Sequence, residues 1–154
     1  MEGGQFSSAI WGHFTTANDT SRSVIINTPE IELLQRQIDL LQSSMAPETP
    51  RDAVDKWAKG VKYRNGSEQF AVLSPGLKEK SLAEYEECGW VTGVSSPWVE
   101  KYEIKATSMG EKTCEYEVKF YLMTSTGDAG SYLSKLVVSK YDQIWYISKV
   151  DNIF

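Results

Sequence analysis

The segment Ala53–Leu73, AVDKWAKGVKYRNGSEQFAVL, decides the fold. Ala53, Val54, Trp57, Ala58 and Val61 recur at helical spacing and make one apolar stripe, while Lys56, Lys59 and Lys62 fall on the solvated side. Glycine inside a helix costs roughly 1 kcal/mol relative to alanine, so Gly60 predicts that another element packs closely against the backbone there. Asn65-Gly66 ends the helix, because both residues tolerate left-handed backbone. Ser67–Leu73 reads as a second, shorter helix with Phe70, Val72 and Leu73 on its apolar side. A third helical segment and four strand-like runs follow. That order predicts an α+β domain in which helices wrap against one curved antiparallel sheet.

Before this segment, Thr49-Pro50 with Asp52 is a helix start: a capping hydroxyl, proline at the first position, and negative charge in the first turn. Ala46-Pro47-Glu48-Thr49-Pro50 is a stiff connector and divides a 1–48 arm from a 49–154 domain. Within the arm, Thr28-Pro29 opens a helix in which Ile31, Leu34, Ile38, Leu41 and Met45 recur at spacings of three and four. This is an a/d seam of about two heptads, short for an independent coiled coil. It predicts an amphipathic helix packed on its own domain; a dimer seam, or a stalk leading to a membrane anchor, is the alternative. Residues 1–29 are polar and Gly-broken, with short extended pieces at Ala9–Thr15 and Ser23–Ile26 or a disordered arm as the two readings. His13, the only histidine, sits there beside Trp11 and Phe14 and reads as a packing or surface residue.

After the segment, Ser74-Pro75 starts the third helix, with Leu77, Leu82 and Tyr85 as core candidates, and Cys88-Gly89 closes it. Trp90–Trp98 is a loop of small residues bracketed by two indoles. Val99–Thr107, Cys114–Thr126, Ser131–Tyr141 and Gln143–Asn152 read as strands of a meander. Cys114, Tyr116, Val118, Phe120 and Leu122 share the inward parity of the clearest one. In the last strand Trp145 and Ile147 share a parity that Val150 lacks, which predicts a bulge near Ser148-Lys149.

Composition narrows the function classes. The chain has 154 residues, 41% of them hydrophobic, enough for one domain with a core. Net charge is -5, and most of it lies in residues 1–48, where Arg22 and Arg36 face Glu2, Asp19, Glu30, Glu32, Asp39 and Glu48. No half of the chain offers a basic footprint, which argues against nucleic acid as a partner. No run approaches the ~18 apolar residues of a membrane span, and the first residues lack the pattern of a signal peptide. Cys88 and Cys114 have no metal-ligand spacing; they read as two buried thiols, or as one disulfide in an oxidising compartment. No metal or other cofactor is expected.

Three helices followed by a long bent meander resemble the NTF2-like (cystatin-related) superfamily over residues 49–154. Trp57–Lys80 (WAKGVKYRNGSEQFAVLSPGLKEK) and Trp90–Ile104 (WVTGVSSPWVEKYEI) are similar to NTF2-like domains of unassigned function in exported or membrane-anchored Gram-positive bacterial proteins. The resemblance implies a cone-shaped sheet closed by helices, an accessory role and an extracytoplasmic location. Enzymes of the superfamily place an Asp or His base inside the cone, where an apolar pocket tunes its pKa. This chain has no histidine in the matching region and no carboxylate on the inward parity of the clear strand; Asp55 and Glu68, the nearest helical carboxylates, read as surface charges or caps. Nor does Ser95-Ser96 form a nucleophile elbow.

The expectation is therefore a noncatalytic interaction or ligand-sensing domain of a cell-envelope protein. The alternative is a small-molecule binding protein, or an isomerase- or dehydratase-like enzyme, using the cone pocket. Trp57, Phe70, Trp90, Trp98, Tyr102, Tyr116 and Phe120 are candidates to line the cone mouth against a small apolar ligand, a sugar face or a peptide, unless the rings simply fill the core. A homodimer would form through the Ile31–Met45 helix or the outer sheet face.

Overall fold

The computed structural model describes residues 28–153. His13, its neighbours and the extended pieces expected before Thr28 lie outside them. Four helices precede four strands: α1 (Thr28–Ser44), α2 (Pro50–Lys62), α3 (Gly66–Ala71), α4 (Pro75–Glu87), then β1 (Trp98–Met109), β2 (Thr113–Thr124), β3 (Gly127–Tyr141) and β4 (Ile144–Ile153). The strands form one open antiparallel sheet in the order β1-β2-β3-β4.

α2 begins where the capping chemistry places it. Thr49 Oγ1 accepts the Asp52 N–H at 3.0 Å, and the Asp52 carboxylate accepts the Glu48 N–H at 3.1 Å and binds Lys56 at 2.7 Å. Its apolar stripe (Ala53, Val54, Trp57 and Ala58) is buried against the sheet. Gly60 does meet a close neighbour: a Cβ there would lie 2.7 Å from Gln69 Cγ and 3.0 Å from Gln69 N. α3 is thus seated against the α2 backbone.

The break between α2 and α3 differs from the expected one. Arg64, not Asn65 or Gly66, takes the left-handed backbone, at φ 58°. Asn65 is extended and caps α3, its side chain accepting the Glu68 N–H. Gly66 is there for proximity: its N–H donates to the Trp90 carbonyl at 2.9 Å, and a Cβ would meet that oxygen at 2.9 Å. α3 also stops at Ala71, and Val72–Ser74 extends along the free edge of β4. Ile147 N–H donates to Val72 O at 2.9 Å and Ser74 N–H to Ile147 O at 2.8 Å, which covers an edge that would otherwise present unpaired backbone.

α4 ends in a full Schellman turn. Gly89 at φ 61° follows the Cys88 cap, Gly89 N–H reaches Glu86 O at 3.0 Å, and Trp90 N–H reaches Tyr85 O at 2.9 Å. The apolar contact that accompanies this motif is the stacking of Trp90 on Tyr85, with centroids 5.8 Å apart. Leu77 and Tyr85 pack against the core, but Leu82 is exposed, because the packed face follows the Leu77, Ser81, Tyr85 line. Cys88 is also exposed rather than buried; Cys114 is in the core, and both thiols are free.

On the inner face, cross-strand rows meet the helices. Tyr102, Phe120 and Tyr132 are aligned, as are Ile104, Val118, Ser134 and Asn152, and Ala106, Tyr116, Leu136 and Val150. The bulge in β4 is at Ser148: Val137 pairs with Lys149 and Val138 with Ile147, so Ser148 is the extra residue. Its hydroxyl bonds Val137 O at 3.2 Å and shares a 2.8 Å bond with Ser139. The outer face carries a row of alternating charge, Lys105, Glu117, Lys135 and Asp151. The same face also carries the partly buried Tyr121, Leu133, Val137 and Tyr146.

α1 is not packed on the domain, contrary to the expectation for its seam. None of its residues is buried; Ile31, Leu34, Ile38 and Leu41 are 42%, 59%, 46% and 58% exposed, and Met45, past the helix end, is half-buried. The connector after it is docked. Pro47 is buried, with its carbonyl 3.5 Å from Trp145 N, and Lys78 Nζ lies 3.4 Å from Gln42 Oε1. No helix among the described residues is long and apolar enough to cross a membrane.

Candidate ligand-binding cleft

The polar chemistry of the inner face converges on Gln69. Gly60 leaves room for its side chain to pack against α2, and Gln69 is only 5% exposed. Its Nε2 donates to Thr92 Oγ1 at 2.6 Å, and its Oε1 lies 3.4 Å from the Tyr85 hydroxyl, which donates. Both ends of a buried amide are therefore held, as burial requires. Thr92 opens the loop that runs to β1, and three backbone contacts fix its start. Gly66 N–H donates to Trp90 O, Asn65 bridges Val91, and Thr92 N–H donates to Arg64 O at 3.1 Å.

Around this centre lies a cleft of two lobes that share Trp57, Gln69, Thr92, Gly93 and Asn152 as walls. The larger, of about 600 Å³, opens between the end of α2, the loop, and the β1–β2 and β3 strand ends; Val61, Trp98, Val99, Leu122 and Tyr132 give it apolar sides. The smaller, of about 410 Å³, runs under α4 past Leu77, Ser81, Glu84, Tyr85 and Cys88. Both fall in the size range of small-molecule sites. Charge is divided between them: Lys62 and Arg64 line the larger lobe, and Glu84 the smaller. Opposite α4, Asn152 is held by Ser134, whose hydroxyl donates to Asn152 Oδ1 at 2.7 Å.

Of the aromatic candidates from the sequence, Trp57 lines both lobes and Trp98, 36% exposed, lines the larger. Trp98 is steered by its indole N–H, which donates to Glu100 at 3.0 Å. Phe70 and Trp90 lie outside the lining. They make edge contacts with each other at 5.2 Å, and Phe70 meets Tyr85 at 5.4 Å, so they back the smaller lobe through Tyr85. Phe120 and Tyr116 are core, 0% and 3% exposed. Tyr102 is half-buried, and its hydroxyl donates to Asp55 at 3.0 Å, which ties β1 to α2. Glu68 is paired with Lys59 at 3.4 Å.

The sequence reading missed Gln69, Arg64, Tyr132 and Asn152. Gly60 signalled that something close would face it, and the parity shift at the bulge puts Asn152 on the inner face. Nothing local marked the Gln69–Thr92 pairing. The described residues contain no cluster of His, Cys, Asp and Glu able to hold a metal ion. Compared with protein-family models the chain matches none, and no curated protein matches it.

Two phenols hold their protons unusually well. Burial, followed by the Glu84 charge, pushes Tyr85 up to about 12; burial, followed by the hydrogen bond to Asp55, pushes Tyr102 up to about 12. Ordinary tyrosines in an unfolded chain ionise near 10. The unfolded state therefore loses these protons first, and stability present below pH 10 falls as pH rises toward 12. Urea midpoints measured across that window should drop, and should drop less in Tyr85→Phe; equal slopes in the two proteins would contradict the assignment.

Proposed function

We propose that residues 49–154 are an NTF2-like domain that binds a small, largely apolar ligand in the two-lobed cleft without transforming it, as a sensing or accessory module of a cell-envelope protein. The observation that carries this reading is the separation of core from cleft. Phe120, Tyr116 and Leu136 fill the sheet–helix interface. Beside them a volume of about 600 Å³ remains between two indoles, Trp57 and Trp98. Rigid aromatic walls with a few fixed polar groups suit capture of an apolar ligand. The helices packed on one face of a bulged meander support the family resemblance. The noncatalytic side of the reading rests on the lining: among the described residues, the charged lining groups Lys62, Arg64 and Glu84 form no ion pair with one another, and the Tyr85 hydroxyl gives its proton to Gln69. An isomerase-like role would need a base against the substrate.

The uncharged probe N-phenyl-1-naphthylamine should bind with a rise in its own emission and a change in tryptophan emission. Ala129→Trp, on the wall of the larger lobe, should abolish both by filling the space. Binding that survives this substitution would place the probe elsewhere and remove the cleft reading.

The exposed seam of α1 favours a second role, self-association. Ile31 and Ile38 occupy a positions, and Leu34 and Leu41 occupy d positions. β-branched a residues with leucine at d select parallel two-stranded coiled coils. In that register Glu30 and Gln37 are g residues that would face Gln35 and Gln42 at e in a second copy, so no like charges oppose one another.

A further inference from the structure

The charged groups that line the larger lobe are both cationic. Its charged lining residues are Lys62 and Arg64, and neither forms an ion pair among the described residues. None of the carboxylates nearest in sequence to its walls is itself a lining residue, and Asp151, beside Asn152, pairs with Lys149. Glu68 binds Lys59, Glu100 holds the Trp98 indole, and Asp128 accepts the Gly130 N–H at 2.6 Å. The neutral polar walls have the same sense. Thr92 Oγ1 already accepts from Gln69, which leaves its hydroxyl proton to donate. Asn152 Oδ1 accepts from Ser134, an orientation that leaves the two amide N–H groups able to donate.

Arg64 is also held in place. Its N–H donates to Val61 O at 3.1 Å, its carbonyl accepts Thr92 N–H at 3.1 Å, and its backbone sits at φ 58°, a conformation that side-chain-bearing residues seldom adopt. The base of the guanidinium stem is therefore fixed beside the cleft while the charged end has no protein partner among the described residues. A guanidinium on a fixed base, with a lysine lining the same lobe, suits a planar carboxylate or a similar oxyanion.

We infer that the occupant of the cleft is an amphipathic organic acid. Its apolar or aromatic body lies between Trp57 and Trp98, and its anionic head is held by Lys62 and Arg64. This rests on the cleft reading above and adds the charge of the ligand to it.

Two probes that share an anilinonaphthalene body separate the two ideas. 1-Anilinonaphthalene-8-sulfonate carries an anionic head, and N-phenyl-1-naphthylamine does not. The double variant Lys62→Gln/Arg64→Gln should weaken the sulfonate about tenfold or more and leave the neutral probe within roughly twofold. In the unaltered protein, added salt should weaken the sulfonate and not the neutral probe, a readout that needs no variant. If the neutral probe binds and the sulfonate responds to neither the double variant nor salt, the anionic head is wrong and the cleft stands. If neither probe binds, or both survive Ala129→Trp, the cleft reading itself falls.

Discussion

Phe120→Ala lowers the free energy of unfolding by about 3–5 kcal/mol. The ring is 0% exposed and lies where α2 meets the sheet, 6.0 Å from Trp57, 6.0 Å from Tyr102 and 4.9 Å from Tyr132, centroid to centroid. Removing it takes away the transfer energy of an aromatic side chain and leaves a cavity that three other rings cannot collapse into. Domains of this size have only about 5–15 kcal/mol to lose, so the variant should be close to unfolded at body temperature. Phe120→Leu keeps most of the volume and should cost less than about 2 kcal/mol. Urea melts of the two variants check this. A loss under about 1 kcal/mol for the alanine variant would mean that Phe120 is a cleft wall after all, and that the division between packed core and open cleft is misplaced.

If α1 pairs two copies through the proposed seam, Leu34→Glu with Leu41→Glu should convert a dimer to a monomer and leave the melting behaviour of the domain unchanged. Both leucines are mostly exposed within the chain, 59% and 58%, and surface changes of that kind usually move stability by no more than about 0.5 kcal/mol. In a two-stranded coil the same residues are d-position knobs, and four unpaired carboxylates at the seam would cost far more than so short a coil gains. Light scattering separates the outcomes. A dimer mass that falls by half supports the seam. A monomer mass in the unaltered protein, or a dimer mass that persists in the variant, contradicts it.

How much of this was legible beforehand depends on the range of each signal. The Ser148 bulge was readable because a strand's period of two makes any slip visible within a few residues. Gly60 was readable as a close approach because glycine inside a helix has few other causes. The α2–α3 break was misread in detail. Asn65 and Gly66 permit left-handed backbone, but a capping bond to Glu68 and a close approach to Trp90 occupy them, and Arg64 makes the turn. The α1 seam shows the limit of periodicity, which identifies an apolar face and says nothing of what covers it. Lys62 reads as solvated from its place opposite the stripe, yet the loop folds back to make it part of a cleft wall. Gln69 is the clearest case. Its role depends on Thr92, distant in sequence, and no local pattern encodes that hydrogen bond.

The claim that the domain binds its ligand in the cleft beside Thr92 is tested most directly by amide and indole chemical shifts during titration with N-phenyl-1-naphthylamine. The largest shifts should fall on the Trp57 and Trp98 indoles and on the Thr92, Gly93 and Ser131 amides, with α1 unaffected. Shifts confined to Ile31–Met45, or none anywhere in the domain, would contradict it.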